Sequence, residues 1–162
     1  SRGRSLALEL ITRIDKEKSH PMKKLNIYAL IAAIIGLLDS AYLTWVKLSH
    51  NEVLCAPGLG DCFTVNTSRY SEVFGIPVAI FGMATYLAII AILLYESRVD
   101  FLKENGTLAL FGISLIGVLY SIYLSYLEEF VLHAWCPYCI LSAIVITIIF
   151  VVSIVRLKRE GV

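Results

Sequence analysis

Charged residues are scarce in this sequence. Asp, Glu, Lys and Arg make up 17% of its 162 residues, whereas they make up about 25% of an ordinary soluble domain. Hydrophobic residues make up 58% and are gathered into four long blocks. Each block is long enough to cross a bilayer core of about 30 Å. The net charge is only +1, and no basic stripe or aromatic platform indicates a nucleic-acid-binding protein. Composition therefore predicts an integral membrane protein.

The predicted fold is an all-α membrane protein, a four-transmembrane-helix bundle whose outer loop carries a short amphipathic capping helix. Residues 1–21 are a polar N-terminal segment on the cytoplasmic side. Two interpretations of it stay open: an added tag, or a surface helix built on its helically spaced apolar residues. Residues 96–106 are predicted to be a compact charged turn. The membrane domain is assigned to residues 22–162, with spans at about 25–46, 76–95, 107–127 and 137–155.

The distribution of basic residues predicts the orientation. Twelve of the 14 Lys and Arg residues lie before the first span, between the second and third spans, or after residue 155. Only Lys47 and Arg69 lie on the other side. Because basic residues concentrate in cytoplasmic segments, we expect a multi-pass cell-membrane protein with both termini in the cytoplasm. All four cysteines then lie on the outer face, where disulfides persist.

A C-x-x-C motif, Cys136-Pro137-Tyr138-Cys139, stands at the start of the fourth span. The free N–H groups and positive dipole end of a helix favour a thiolate, so this position activates the first cysteine. Pro137 suits the first helical turn, where its missing N–H costs nothing. Cys139 follows one turn later, within reach of a disulfide. The motif predicts a redox-active dithiol at the membrane edge.

A second pair, Cys55 and Cys62, lies in the outer loop with two glycines and a proline between its members. Thiol–disulfide exchange needs an attacking thiolate and access to a disulfide. A mobile loop pair can reach a soluble partner, and a pair at the membrane edge can reach a lipid-soluble oxidant. The two pairs together therefore predict an electron relay to a quinone of the ubiquinone or menaquinone type.

Other interpretations of these residues stay open. The chain could be a structural four-span membrane protein with two stabilising disulfides, although a C-x-x-C bridge closes too small a loop to stabilise much. A zinc site built from the four cysteines and His133 has tolerable spacing, but nothing orders the loop pair as a knuckle. Asp39 lies inside the first span and is a candidate proton relay, because an unpaired carboxylate there is costly. The alternative is that its side chain reaches the membrane surface, or that the hydroxyls of Ser40, Tyr42 or Thr44 satisfy it.

Further motifs accompany the cysteines in a fixed order along the chain. They are Asp39-Ser-Ala-Tyr-Leu-Thr44, the loop cysteines, Val65, Thr67-Ser68-Arg69, Phe74-Gly75, Phe81-Gly82, Ser121-Ile-Tyr-Leu124, Phe130-Val-Leu132 and the C-x-x-C. With these motifs in this order, the sequence resembles the vitamin K epoxide reductase family, in particular its bacterial and archaeal quinone-linked members.

The resemblance implies a membrane thiol:quinone oxidoreductase that supports disulfide bond formation. Its partner would be a thioredoxin-like (DsbA-like) redox protein, expected to be separate because the sequence ends at Val162. The resemblance also implies roles for individual residues. Cys139 would face the quinone, Cys136 would exchange with the loop pair, Ser68 would help fix the cap, and Val65, Phe81 and Leu124 would line the pocket.

Two departures from the animal enzymes of this family bear on the reaction. Val78 stands where those enzymes carry an asparagine, and Ala143 stands where they carry a tyrosine. Reduction of vitamin K epoxide or quinone is therefore the weaker alternative. The DsbB type of quinone-linked oxidase also has two cysteine pairs, but its C-x-x-C comes first along the chain. The order here is reversed, which argues against that type.

Overall fold

The computed structural model describes residues 2–49 and 62–161 of this chain. Nearly all of these residues are helical, joined by short connections and one small hairpin. The elements in chain order are α1 (Arg2–Ser49), α2 (Cys62–Thr67), β1 (Glu72–Val73), β2 (Ile76–Pro77), α3 (Val78–Tyr95), α4 (Asp100–Leu127) and α5 (Pro137–Glu160).

Helices α1, α3, α4 and α5 supply the membrane-spanning part. In the described residues four helical segments are long and apolar enough to cross a bilayer, namely Lys23–Ser49, Val78–Tyr95, Asp100–Leu132 and Pro137–Glu160. The last part of the third segment is a π-helical turn, Glu128–Leu132. The predicted four-helix membrane bundle is thereby confirmed.

Two connections differ from their predicted form. The predicted turn at residues 96–106 is mostly helix, because α4 begins at Asp100. The carboxylate of Asp100 complements the positive helix end and pairs with Lys103 at 2.7 Å. In addition, α1 continues without a break from Arg2 to Ser49, so the predicted N-terminal segment is helical, with Leu8 and Ile11 exposed.

Helix α1 is the centre of the bundle. It packs against α3 and α5, and α5 packs against α4, whereas α3 and α4 touch each other less. The approach of α1 to α3 requires glycine: a Cβ atom at Gly36 would lie 2.3 Å from the Cζ atom of Tyr86. The shared core consists of small and branched residues around that tyrosine: Ala32, Ala33, Ile89, Leu110, Val145, Ile146 and Ile149.

A buried ion pair closes the end of the bundle remote from the C-x-x-C motif. The guanidinium of Arg156 is 1% exposed and donates to Glu96 at the end of α3. Glu160 lies 3.7 Å from the same guanidinium and accepts a hydrogen bond from Thr107 of α4 at 2.8 Å. Charged side chains therefore join α3, α4 and α5 at this end.

Candidate active site

The C-x-x-C motif sits at the start of α5. Cys136 is the N-cap residue with an extended backbone, and Pro137 occupies the first helical turn. Both thiols are free; Cys136 is fully buried and Cys139 half-buried. A hydrogen bond from Cys139 lowers the pKa of Cys136 against the opposing effect of burial. Cys136 is thus the more acidic thiol of the pair, as the helix position also favours.

Glu128 is a site residue that the sequence did not reveal. Its side chain is 3% exposed, and its Oε2 atom accepts the backbone N–H of Cys136 at 3.3 Å. The carboxylate also interacts electrostatically with the thiol of Cys139. The π turn makes this possible: the chain then reverses at His133, whose φ is 49°, and Ala134 donates to the Glu128 carbonyl at 3.2 Å. Both cysteines of the motif therefore lie beside one buried carboxylate.

A cavity of about 530 Å³ opens beside Cys139. It lies between α3 and α4, beneath the segment that follows the outer loop, and its walls are mainly apolar. The four residues that the family resemblance assigned to the quinone pocket, Val65, Ser68, Phe81 and Leu124, all lie on its wall. They come from three separate parts of the chain, which the fold brings together around one space.

The cap consists of α2, a 3₁₀ turn (Arg69–Ser71) and the β1–β2 hairpin. Lys47 at the end of α1 anchors it, donating to the Asn66 carbonyl at 2.9 Å and to the Ser71 hydroxyl at 2.6 Å. The Asn66 side chain donates back to the Leu43 carbonyl at 3.1 Å. Ser68 uses its hydroxyl within the cap, donating to the Val65 carbonyl at 2.7 Å. These bonds hold the cap over the cavity.

Asp39 is buried in α1, 6% exposed. Neither of its carboxylate oxygens has a hydrogen-bond partner in the part of the chain that the structure describes. Thr44, one of the hydroxyls considered as a partner, instead donates to the Ser40 carbonyl at 2.8 Å. Asp39 is not on the cavity wall, but it interacts electrostatically with Tyr86, which is.

The structure describes little of the two loop cysteines. Cys55 lies outside the described residues, and for Cys62 only the backbone is described, at the start of α2. One turn further along α2, Val65 packs in the same buried cluster as Cys136. The helix that Cys62 begins is therefore in contact with the C-x-x-C motif.

The chain is similar in sequence to known proteins. The thiol-disulfide oxidoreductase LTO1 of Arabidopsis thaliana is 35% identical to this chain over 131 residues, 78% of this chain and 35% of that protein. The chain thus spans about a third of the length of that curated relative. The model of the vitamin K epoxide reductase family matches residues 27–154. These residues include α3, α4 and the C-x-x-C motif, and the chain belongs to the vitamin K epoxide reductase family.

Proposed function

We propose that this protein is a membrane thiol:quinone oxidoreductase that oxidises a thioredoxin-like partner. The observation that carries the proposal is the placement of the two thiols. Cys136 packs under the cap with Val65, whereas Cys139 opens onto an apolar cavity within the membrane-spanning part. One cysteine thus faces the side from which a protein arrives, and the other faces a space that suits a lipid-soluble oxidant.

The cavity fits a quinone ring. Its volume falls within the range of about 300–1,000 Å³ typical of small-molecule sites, and few polar groups interrupt its apolar wall. Val65, Phe81 and Leu124 would contact the ring, with Ser68 fixing the cap above it. A bound quinone supplies an acceptor for two electrons and two protons. Val78 also lies on the wall, so this position offers an apolar surface rather than the asparagine amide of the animal enzymes.

The chain's own residues carry the electrons by disulfide exchange. A partner dithiol reduces the Cys55–Cys62 disulfide and becomes a disulfide itself. One loop thiolate then attacks Cys136 in the Cys136–Cys139 disulfide, and Cys139 leaves as a thiolate. The second loop thiolate attacks the mixed disulfide and releases Cys136. The two electrons now reside in the Cys136/Cys139 dithiol beside the cavity.

We also propose that both termini lie in the cytoplasm and the cysteines on the outer face of the cell membrane. The support is the distribution of basic residues, which stays lopsided even though Arg156 is buried in an ion pair. A reporter that is active only in the cytoplasm should work when fused at Val162 and fail when inserted at Gly58. Activity at Gly58 would overturn the orientation.

The relay is tested with single cysteine variants and two electron donors. With a thioredoxin-like protein as donor, Cys55→Ala or Cys62→Ala should abolish quinone reduction, because the partner cannot enter the bundle. With a small dithiol as donor, the same variants should keep part of their activity, because a small reductant reaches Cys136 directly. Cys136→Ala and Cys139→Ala should abolish both reactions. Full activity of Cys139→Ala with either donor would refute the assignment.

A further inference from the structure

Glu128 supplies a carboxylate where the proposed reaction must move a proton. Among the described residues that line the cavity it is the only carboxylate. It accepts the Cys136 N–H at 3.3 Å, interacts electrostatically with the Cys139 thiol, and lines the same cavity as Cys139. Its position therefore joins the cysteine pair to the cavity.

The two thiols differ in what oxidation requires of them. Cys136 stands at the helix N-terminus, and the Cys139 side chain lowers the pKa of its thiol. The Cys139 thiol must lose its proton before its sulfur can enter a disulfide. The carboxylate that interacts with that thiol is Glu128, which shares the cavity wall with it.

We propose, on the basis of the function proposed above, that Glu128 is the catalytic base that takes the Cys139 proton when the Cys136–Cys139 disulfide forms. The Cys139 S–H bond breaks, its proton passes to the Glu128 carboxylate, and a bond forms between the two sulfur atoms. A bound quinone would accept the two electrons released, and its two protons would be the one held by Glu128 and one from water.

Other titratable groups near this site suit the role less well. The remaining ionisable side chains on the described cavity wall, apart from Cys139, are phenols, Tyr70, Tyr86 and Tyr120. An ordinary phenol is protonated at neutral pH, with a pKa of about 10, and cannot accept the proton. Asp39 of α1 lies off the wall, and Lys47 is engaged with the cap. On the other side of the π turn, Glu129 and His133 are exposed.

The test uses the Cys55→Ser/Cys62→Ser protein, so that only the C-x-x-C dithiol reports. The protein is first reduced and the reductant is removed. A water-soluble short-chain quinone then oxidises it in a single turnover, and acid trapping with thiol labelling measures the rate. The rate should depend little on pH between about pH 6 and pH 8, because the base is built in. Glu128→Gln should slow it about a hundredfold at neutral pH. The residual rate should rise about tenfold per pH unit, because only preformed thiolate reacts.

Glu129→Gln is the matched control, since it removes the adjacent but exposed carboxylate, and it should behave as the parent does. Equal rates and pH profiles for the Glu128→Gln and Glu129→Gln proteins would overturn the proposal. If Glu128→Gln instead lost the same fraction of its rate at every pH, the proposal would also be overturned. Such a result would mean that Glu128 only positions Cys136.

A second measurement needs no quinone. In a protein that retains Cys139 alone, Glu128→Gln should speed alkylation of Cys139 by iodoacetamide at neutral pH about tenfold, because the like charge beside the thiolate is gone. Alkylation and quinone oxidation should therefore change in opposite directions, which a packing defect would not produce. Slower alkylation in Glu128→Gln would contradict the proposal.

The pH profile of the parent protein tests for an internal base even if Glu128→Gln does not fold. A rise of about tenfold per pH unit in the parent would show that no internal base operates. The proposed function and the role of Glu128 can be refuted separately. A parent dithiol that no quinone oxidises refutes the function, whereas normal oxidation that is insensitive to Glu128 refutes only this inference.

Discussion

Replacing Lys47 by Met should loosen the cap without disturbing the bundle. The Lys47 ammonium makes two hydrogen bonds to the cap, to Asn66 and Ser71, and its side chain is only 10% exposed. A hydrogen bond to a charged group contributes about 1.5–3 kcal/mol, so losing both costs about 3 kcal/mol at the lower end. The 3.1 Å ion pair with the half-exposed Glu72 adds little, because solvent screens it.

A loss of about 3 kcal/mol corresponds to a roughly hundredfold shift towards the undocked cap. Hydrogen exchange measures this shift directly, through the amides of Ser68 and Ser71, which are hydrogen-bonded inside the cap. Their protection should fall about a hundredfold in Lys47→Met, while amides in the core of α5 keep theirs. Arg69→Met, at an exposed cap position, is the control. Equal protection in both variants would refute the anchoring role of Lys47.

Three further variants test other parts of the structure. Glu96→Gln leaves the Arg156 guanidinium buried without its direct partner and should destabilise the protein by about 3 kcal/mol in a detergent unfolding assay; a cost near zero would contradict the pairing. Asp39→Asn removes a buried carboxylate that lacks hydrogen bonds, so stability should rise by about 1 kcal/mol. If Asp39 relays protons between water and the site, quinone reduction by the same variant should also slow, and unchanged turnover would rule out this relay. In protein lacking the loop cysteines, Cys139→Ala removes the donor that lowers the pKa of Cys136, so alkylation of Cys136 at neutral pH should slow about tenfold; faster alkylation would contradict the assignment of the thiolate.

The membrane spans were predictable because hydrophobic length is a local property. A run of about 20 apolar residues must be helical in lipid, and the C-x-x-C position at a helix start followed from Pro137 and the apolar residues after it. The helix ends were less predictable. The sequence at 96–106 looks like a charged turn, but Asp100 and Lys103 pair one helical turn apart and stabilise the start of α4.

Contacts between distant residues were not predictable from the sequence. In the sequence, Lys47 and Arg156 are visible only as charges that report orientation, yet their partners lie 19 and 60 residues away. Glu128 escaped notice for another reason. Its contact with the thiols depends on a π turn and a left-handed residue at His133, and neither has a sequence pattern as clear as a hydrophobic run. Only the resemblance to a family pointed to the cavity wall.

Because of the cavity between α3 and α4, the concentration of ligand in the bilayer, rather than in water, determines how much ligand this protein binds. Phe81 of α3 and Ile116 of α4 both lie on its wall and are 46% and 69% exposed on the outside of the bundle. At this depth the surroundings are hydrocarbon, so a ligand with a long apolar tail can seat its head and leave the tail among the lipids. Occupancy then follows the mole fraction of ligand in the bilayer, and adding empty lipid should slow the protein at a constant total amount of ligand.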